Sequence, residues 1–236
     1  AAMGAARLLK EKLFRIAAHL LEARAEDLEL VDGRIQVRGA PHFGFTLREL
    51  AQKAYLAPME LPPDLEPGLE ASHAFDPPPL TFSNATHLCI VEIDRATGRL
   101  TIPRYIIVED CGTMVNPRVV EGQIHGGTAL GVAGAAYEEV VYDAEGQNLT
   151  GTFVDYAVPT ACEVPAFEIY HLETPHPGTP LGMKGMAEGG VMGGAGAVAN
   201  AVADAMAPLG VVVNRQPFTP RRILDYLRSA NALADL

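Results

Sequence analysis

From Ala5 to about Glu22 the apolar residues Leu9, Leu13, Ile16, Ala17 and Leu20 recur three or four apart, while Lys10, Glu11 and Arg15 take the other positions. That spacing predicts an amphipathic helix. The period then changes. "LELVDGRIQVRG" alternates apolar and polar residues on both sides of Asp32-Gly33, a dipeptide that accepts the positive φ of a two-residue turn, so two short strands are expected. Thr46 and Glu49 stand at capping-box spacing, which predicts a second helix running to about Tyr55. Between Pro58 and Pro79 proline recurs too often for a helix or a central strand, and the stretch is expected to run over a surface as a connection.

Beyond it, "THLCIVEI" and "LTIPRYIIVED" read as the two strands of a hairpin that turns at Gly98. Asn116-Pro117 supplies a cap and a first helical position for a helix reaching about Ala136. Gly127, Gly131 and Gly134 lie on one face of that helix, where something is expected to press on the backbone. "EEVVYDAEGQNLTGTFVDY" is expected to form another hairpin through Gly146, and "AFEIYHLE" a further strand. "AGAVANAVADAMAPLG" predicts a helix closed by Gly210, and "TPRRILDYLRSA" a last helix capped by Thr219 with Pro220 at its first position. Hairpins outnumber parallel crossovers, so the expectation is an α+β (mixed α/β) fold. It is organised as a helix-hairpin-helix segment over 1–57, a proline-rich connection over 58–80 and a larger domain over 81–236.

Composition narrows the classes. A net charge of -11 over 236 residues leaves no basic surface to neutralise a phosphate backbone, so nucleic acid is not an expected partner. No apolar run is long enough for a membrane span, and no leader pattern of charge, apolar core and cleavage site opens the chain. The expectation is a cytoplasmic protein. The chain begins directly in helical material without an initiator methionine, and it is expected to be a fragment, a processed product or a separate subunit. Cys89, Cys111 and Cys162 lie far apart and are expected to be reduced, packed side chains.

Several chemistries lack their residues. None of the serines sits in a G-x-S-x-G elbow, no Walker A string occurs, and no histidines stand at the i, i+4 spacing of a zincin. "GGTALGVAG" lacks the close first glycine pair of a dinucleotide-binding loop. No protein-ligated metal is expected. Two stretches remain. In "DCGTMVNPRVVEGQIHGG" Gln123 stands among small residues, where its amide could grip an oxygen-rich ligand close to the backbone; a glutamine on a solvated helix face explains the same spacing. In "GMKGMAEGG" Glu188 stands among glycines. If the cradle is dry, lost hydration lifts a carboxyl toward the range of a general base. If it is not, the acid merely complements the start of the following helix.

Taken together, "GMKGMAEGG", "AVANAVADAMAPLGV", "DCGTMVNP" and "VEGQIHGG" resemble the C-terminal part of the molybdenum-binding large subunit of the xanthine dehydrogenase and carbon-monoxide dehydrogenase (molybdenum hydroxylase) family. The likeness is tight from about residue 72 to 228 and looser over the first 60. It implies the fold of the C-terminal molybdopterin-binding domain of those enzymes. It implies that Glu188, the glutamate of a K-G-x-x-E motif, is the base of hydroxylation. Gln123, from a G-Q-x-x-G motif, is implied to hydrogen-bond near the molybdenum centre, and Gly126, Gly127, Gly185 and Gly189 to shape the cradle. Many relatives carry glycine where this chain has Ala187, whose methyl makes the turn less permissive.

The cofactor implied is molybdenum-molybdopterin, in the cytosine dinucleotide form and held largely by polypeptide outside this chain. FAD and 2Fe-2S clusters are implied on partner subunits, and the remainder of the large subunit and a small-molecule substrate as further partners. Alone, the chain is expected to be inactive. Aldehydes, purines, other heterocycles and carbon monoxide are all handled by such enzymes. An assembly or interaction module that kept the fold and lost catalysis is the alternative.

Overall fold

The computed structural model describes residues 1–230, so the last six residues of the domain expected over 81–236 lie outside it. The chain divides into two compact units, Ala1–Asp76 and Pro77–Leu236. In the first, helix α1 (Ala2–Leu20) and helix α2 (Leu47–Leu56) accompany an antiparallel sheet of β1 (Leu28–Val31), β2 (Arg34–Val37) and β3 (Ala40–Thr46). Asp32 and Gly33 both take positive φ and close the β1–β2 turn, as the pair of residues demands. The Thr46–Glu49 capping box forms, with Glu49 N–H donating to Thr46 Oγ1 at 3.2 Å and Thr46 N–H to Glu49 Oε2 at 2.7 Å. Ile16, Leu28, Ile35 and Leu50 fill the core.

Two features depart from expectation. β3 was not foreseen: Pro41 and Gly44 argue against a strand, but the segment pairs along β2 where the register slips after Gln36. Much of the proline-rich stretch belongs to the first unit, with Leu61 buried in its core and Leu65 and Leu69 against it.

In the second unit β4 (Asn84–Ile93) pairs antiparallel with β5 (Leu100–Asp110), and β6 (Phe167–Leu172) pairs parallel with β5, giving the order β4-β5-β6. The hairpin at Gly98 therefore forms as expected, while the strand "AFEIYHLE" arrives by a crossover. Helix α3 (Pro117–Ala136) lies on that crossover, with Asn116 Oδ1 accepting from Val119 N–H. Helices α4 (Gly189–Met192), α5 (Gly194–Met206) and α6 (Pro220–Ser229) follow. Gly210 ends the turn after α5 in a left-handed conformation, and Thr219 caps α6 by accepting from Arg222 N–H. The α+β class holds, with Tyr105, Ile107, Ile124, Val198, Val202 and Phe218 in one core.

Residues 138–156 turn back at Gly146 as expected, with Asp143 N–H donating to the Gln147 carbonyl at 3.0 Å and Leu149 N–H to the Val141 carbonyl at 2.8 Å, but the two strands of a full hairpin do not extend from that turn. Only a single bridge joins Tyr142 and Asn148, because Asp143 and Asn148 carboxyl and amide oxygens capture backbone N–H groups that a ladder would need. Of the cysteines, Cys111 is buried and Cys162 is exposed, on the turn that follows Thr160 rather than packed as expected. No helix among the described residues is long and apolar enough to cross a membrane.

The glycine face of α3 is split. A Cβ at Gly131 would stand 2.7 Å from Gly194 Cα, and one at Gly127 would stand 2.7 Å from Val191 N; at Gly134 it would meet nothing. The first two positions thus let α3 touch the α4–α5 backbone, and the third does not, contrary to the even spacing of the three. Gly131→Ala is expected to destabilise this unit by about 1–3 kcal/mol through overpacking. Gly134→Ala should be neutral or slightly stabilising, since alanine is the better helix former. Chemical denaturation of the pair measures the contrast, and equal midpoints would contradict it.

Candidate active site

The site is built where β5 runs out. Asp110, the last residue of that strand, directs Oδ1 toward three donors: Gly112 N–H at 2.9 Å, Thr174 N–H at 3.1 Å and Lys184 Nζ at 3.1 Å. Both charged side chains of the pair are nearly buried, Asp110 at 11% and Lys184 at 9% exposure. Burial works against the Asp110 charge, but the bonds from Thr174, Gly112 and Lys184 outweigh it and hold the carboxyl well below the usual carboxylate range. Backbone bonds complete the staple, with Lys184 N–H donating to Cys111 carbonyl at 2.8 Å and Gly185 N–H to Thr81 carbonyl at 2.8 Å.

From there the chain passes Glu188 and enters α4. Gln123 Nε2, on α3, donates to the carbonyl of Ala187 at 3.0 Å, and Thr128 Oγ1 donates to the carbonyl of Gly190 at 3.2 Å. Glu188 is therefore held at the backbone on both sides. Its side chain makes no capping bond to α4, so the reading as a mere helix-start complement has no hydrogen bond behind it.

The structure brings Gln123, Gly127, Gly189 and Glu188 together. Gly185 is tied outward to Thr81, and Gly126 is exposed on α3, where an added Cβ would meet nothing. The dry cradle expected around Glu188 is not present within this chain: the carboxylate is exposed. The reason lies in what the glycines do. They turn their backbones inward against α3 and β5, so the crowding is beneath the main chain and the acid remains on the surface. Gln123 is likewise exposed, with its N–H committed to Ala187 and its amide oxygen accepting no bond among the described residues.

Sequence reasoning passed over Glu109. It follows Tyr105 and Ile107 at period two on the core-facing side of β5, and it is completely buried. The alternation of "RYIIVED" carried that signal, since an acid at the third inward position has to go into the core. Among the described residues no group of three or more His, Cys, Asp or Glu could hold a metal ion. A cavity of about 390 Å³ opens elsewhere in this unit, against Arg99, Tyr137, Glu163 and Phe218; it includes neither Glu188 nor Gln123.

Comparison with known proteins supplies the rest. Residues 1–165 match the family described as molybdopterin cofactor-binding domain. The carbon monoxide dehydrogenase large chain of Hydrogenophaga pseudoflava is 42% identical over 96% of this chain and 28% of its own length. The nicotine 6-hydroxylase large subunit of Paenarthrobacter nicotinovorans is 40% identical over 98% of this chain and 28% of its own length. Reconstituted CO dehydrogenase from Oligotropha carboxidovorans superposes with a TM-score of 0.84 at 39% identity, covering 96% of this chain and 28% of that one. The chain thus spans less than a third of the length of the curated relatives it matches.

Proposed function

We propose, starting from the fact that the chain belongs to the molybdopterin cofactor-binding domain family, that it is a portion of a molybdenum hydroxylase large subunit in which Glu188 is the base of the reaction. One observation carries the reading: Gln123 and Thr128 fix the backbone on either side of Glu188, and its carboxylate is committed to no bond among the described residues. A side chain held by its neighbours and left uncommitted is arranged to act on something outside the chain.

The residues present fit a molybdopterin. Gln123 offers an amide oxygen, and the bare backbone at Gly126, where an added Cβ would meet nothing, lets a flat, oxygen-rich group approach α3. When bound, that cofactor supplies the two-electron redox chemistry. The chain's own residues handle a proton and its placement. Glu188 accepts it at a carboxylate oxygen as an electron-poor carbon of a small substrate is hydroxylated, and Gln123 keeps Ala187, and so the base, in place. Exclusion of water from Glu188 falls to the remainder of the large subunit, because this chain leaves the acid exposed. On this reading the chain is inactive without that polypeptide and without FAD-binding and iron-sulfur subunits to take the electrons. The cofactor is the cytosine dinucleotide form and the setting cytoplasmic, in keeping with three free cysteines. Relatives named for carbon monoxide and for nicotine leave both a carbon monoxide-like and a heterocyclic or aldehyde substrate open.

A non-catalytic assembly module is the second reading, favoured by the exposure of Glu188 and by Ala187. Metal and pterin analysis of the complex isolated from its natural host separates the two. Stoichiometric molybdenum and molybdopterin are expected, and a complex without them would sink the catalytic reading.

A further inference from the structure

The buried acid that the proposed chemistry does not use is Glu109. It is fully inaccessible, and neither of its oxygens has a hydrogen-bond partner among the described residues. A charged carboxylate in that position is a large cost, whereas a protonated carboxyl is a tolerable one. Its place is defined by Gly189: a Cβ there would come within 2.7 Å of Glu109 Oε1 and 3.1 Å of Cδ, with Met186 Cε 3.0 Å away. The carboxyl therefore fills the space that the missing side chain of Gly189 leaves, one residue from the base.

We propose that Glu109 is a positioning residue for Glu188: an uncharged carboxyl that seats the backbone from Met186 to Gly190 on β5 and unseats it on losing its proton. This rests on the assignment of Glu188 as the base.

The groups that face Glu109 explain why ionisation has nowhere to go. Asp110, beside it on β5, is held charged by Lys184, so that cation is committed and a second negative charge is repelled. Cys111 follows directly after the strand. From β4 the register partner is Ala85, which carries no charge, and from β6 it is His171. Met186 and Gly189 bring none, and Glu188 is itself an acid. Burial, first, pushes the Glu109 carboxyl up to about 7, against a lowering from the Ser83 hydroxyl; the neighbouring Asp110 adds a lesser push upward. For an acid raised above its ordinary 4.5, the folded state keeps a proton that the unfolded chain has lost; stability is therefore complete below the ordinary value and falls as pH rises toward the folded one.

The test uses the complete enzyme complex and its Glu109→Gln variant, in which an amide of the same shape stays neutral at every pH. An infrared difference spectrum between the two should show a protonated-carboxyl carbonyl band at about pH 6 that fades by about pH 8. The melting midpoint of wild type should fall between about pH 4.5 and about pH 7 and level off above it, and that of the variant should lack this fall; a decline in kcat between about pH 6 and about pH 8 is expected in wild type and not in the variant. In wild type alone, amide exchange across 186–190 should accelerate by about tenfold or more beyond its intrinsic rise over the same interval. A wild type without the protonated band, or a variant with the wild-type pH profile, overturns the proposal. If the variant does not accumulate, unchanged exchange in wild type overturns it. Survival of activity in Glu188→Gln would instead remove the base assignment, leaving the infrared and melting results to report the seat.

Discussion

Replacing Glu188 by glutamine in the assembled enzyme is expected to lower kcat by roughly 10²- to 10⁴-fold, the contribution of a positioned general base, with molybdenum and pterin content unchanged. An amide has nearly the shape of a carboxylate and cannot take up a proton. The substitution is also clean on structural grounds. Glu188 is exposed, its side chain bonds to nothing among the described residues and does not cap α4, so its replacement leaves the staple at Lys184 and the Gln123–Ala187 bond in place. Melting and metal content should therefore match wild type while turnover collapses. A near-normal rate would remove Glu188 from the chemistry, and a loss of pterin along with activity would make it a binding residue instead.

How far the residues announce this site depends on the range of the forces involved. Local signals read true: the capping box at Thr46, the turn at Asp32-Gly33, the caps at Asn116 and Thr219 all act within four residues, and each formed. The strand "AFEIYHLE" was legible as a strand but its parallel partner was not, because pairing depends on where α3 delivers the chain. Residues 138–156 alternate like a hairpin, yet the short side chains of Asp143 and Asn148 win the backbone donors. The motif around Glu188 identified a crowded backbone correctly and the wrong side of it as crowded. Glycine marks close approach but not its direction, and here α3 and Glu109 lie beneath the main chain. Glu109 itself was visible in the period-two pattern of β5 and invisible to motif reading, since an acid beside "DCG" resembles any strand-end charge.

Lys184→Met is expected to cost about 3–5 kcal/mol at neutral pH, because it strips one partner from a nearly buried ion pair and leaves the other charged. Asp110 would keep its bonds from Gly112 and Thr174 N–H, which soften the loss without replacing a cation. The pH dependence has a definite sign. Asp110 is held below the usual carboxylate range, so it contributes stability above its unfolded value that is lost as pH falls toward the folded one. Without Lys184 that depression is smaller. The deficit of the variant should accordingly be constant above the carboxylate range and should narrow as acid protonates Asp110. Denaturant titration of both proteins at several pH values measures it. Asp110→Asn combined with Lys184→Met should recover much of the loss, since an amide oxygen can still accept from the two backbone donors and no charge is left unpaired. An unchanged midpoint in the single variant would mean that the strand end and the loop bearing Glu188 are joined by the backbone bonds alone, at Cys111 and Thr81. The lysine of the motif would then need another reason to be there.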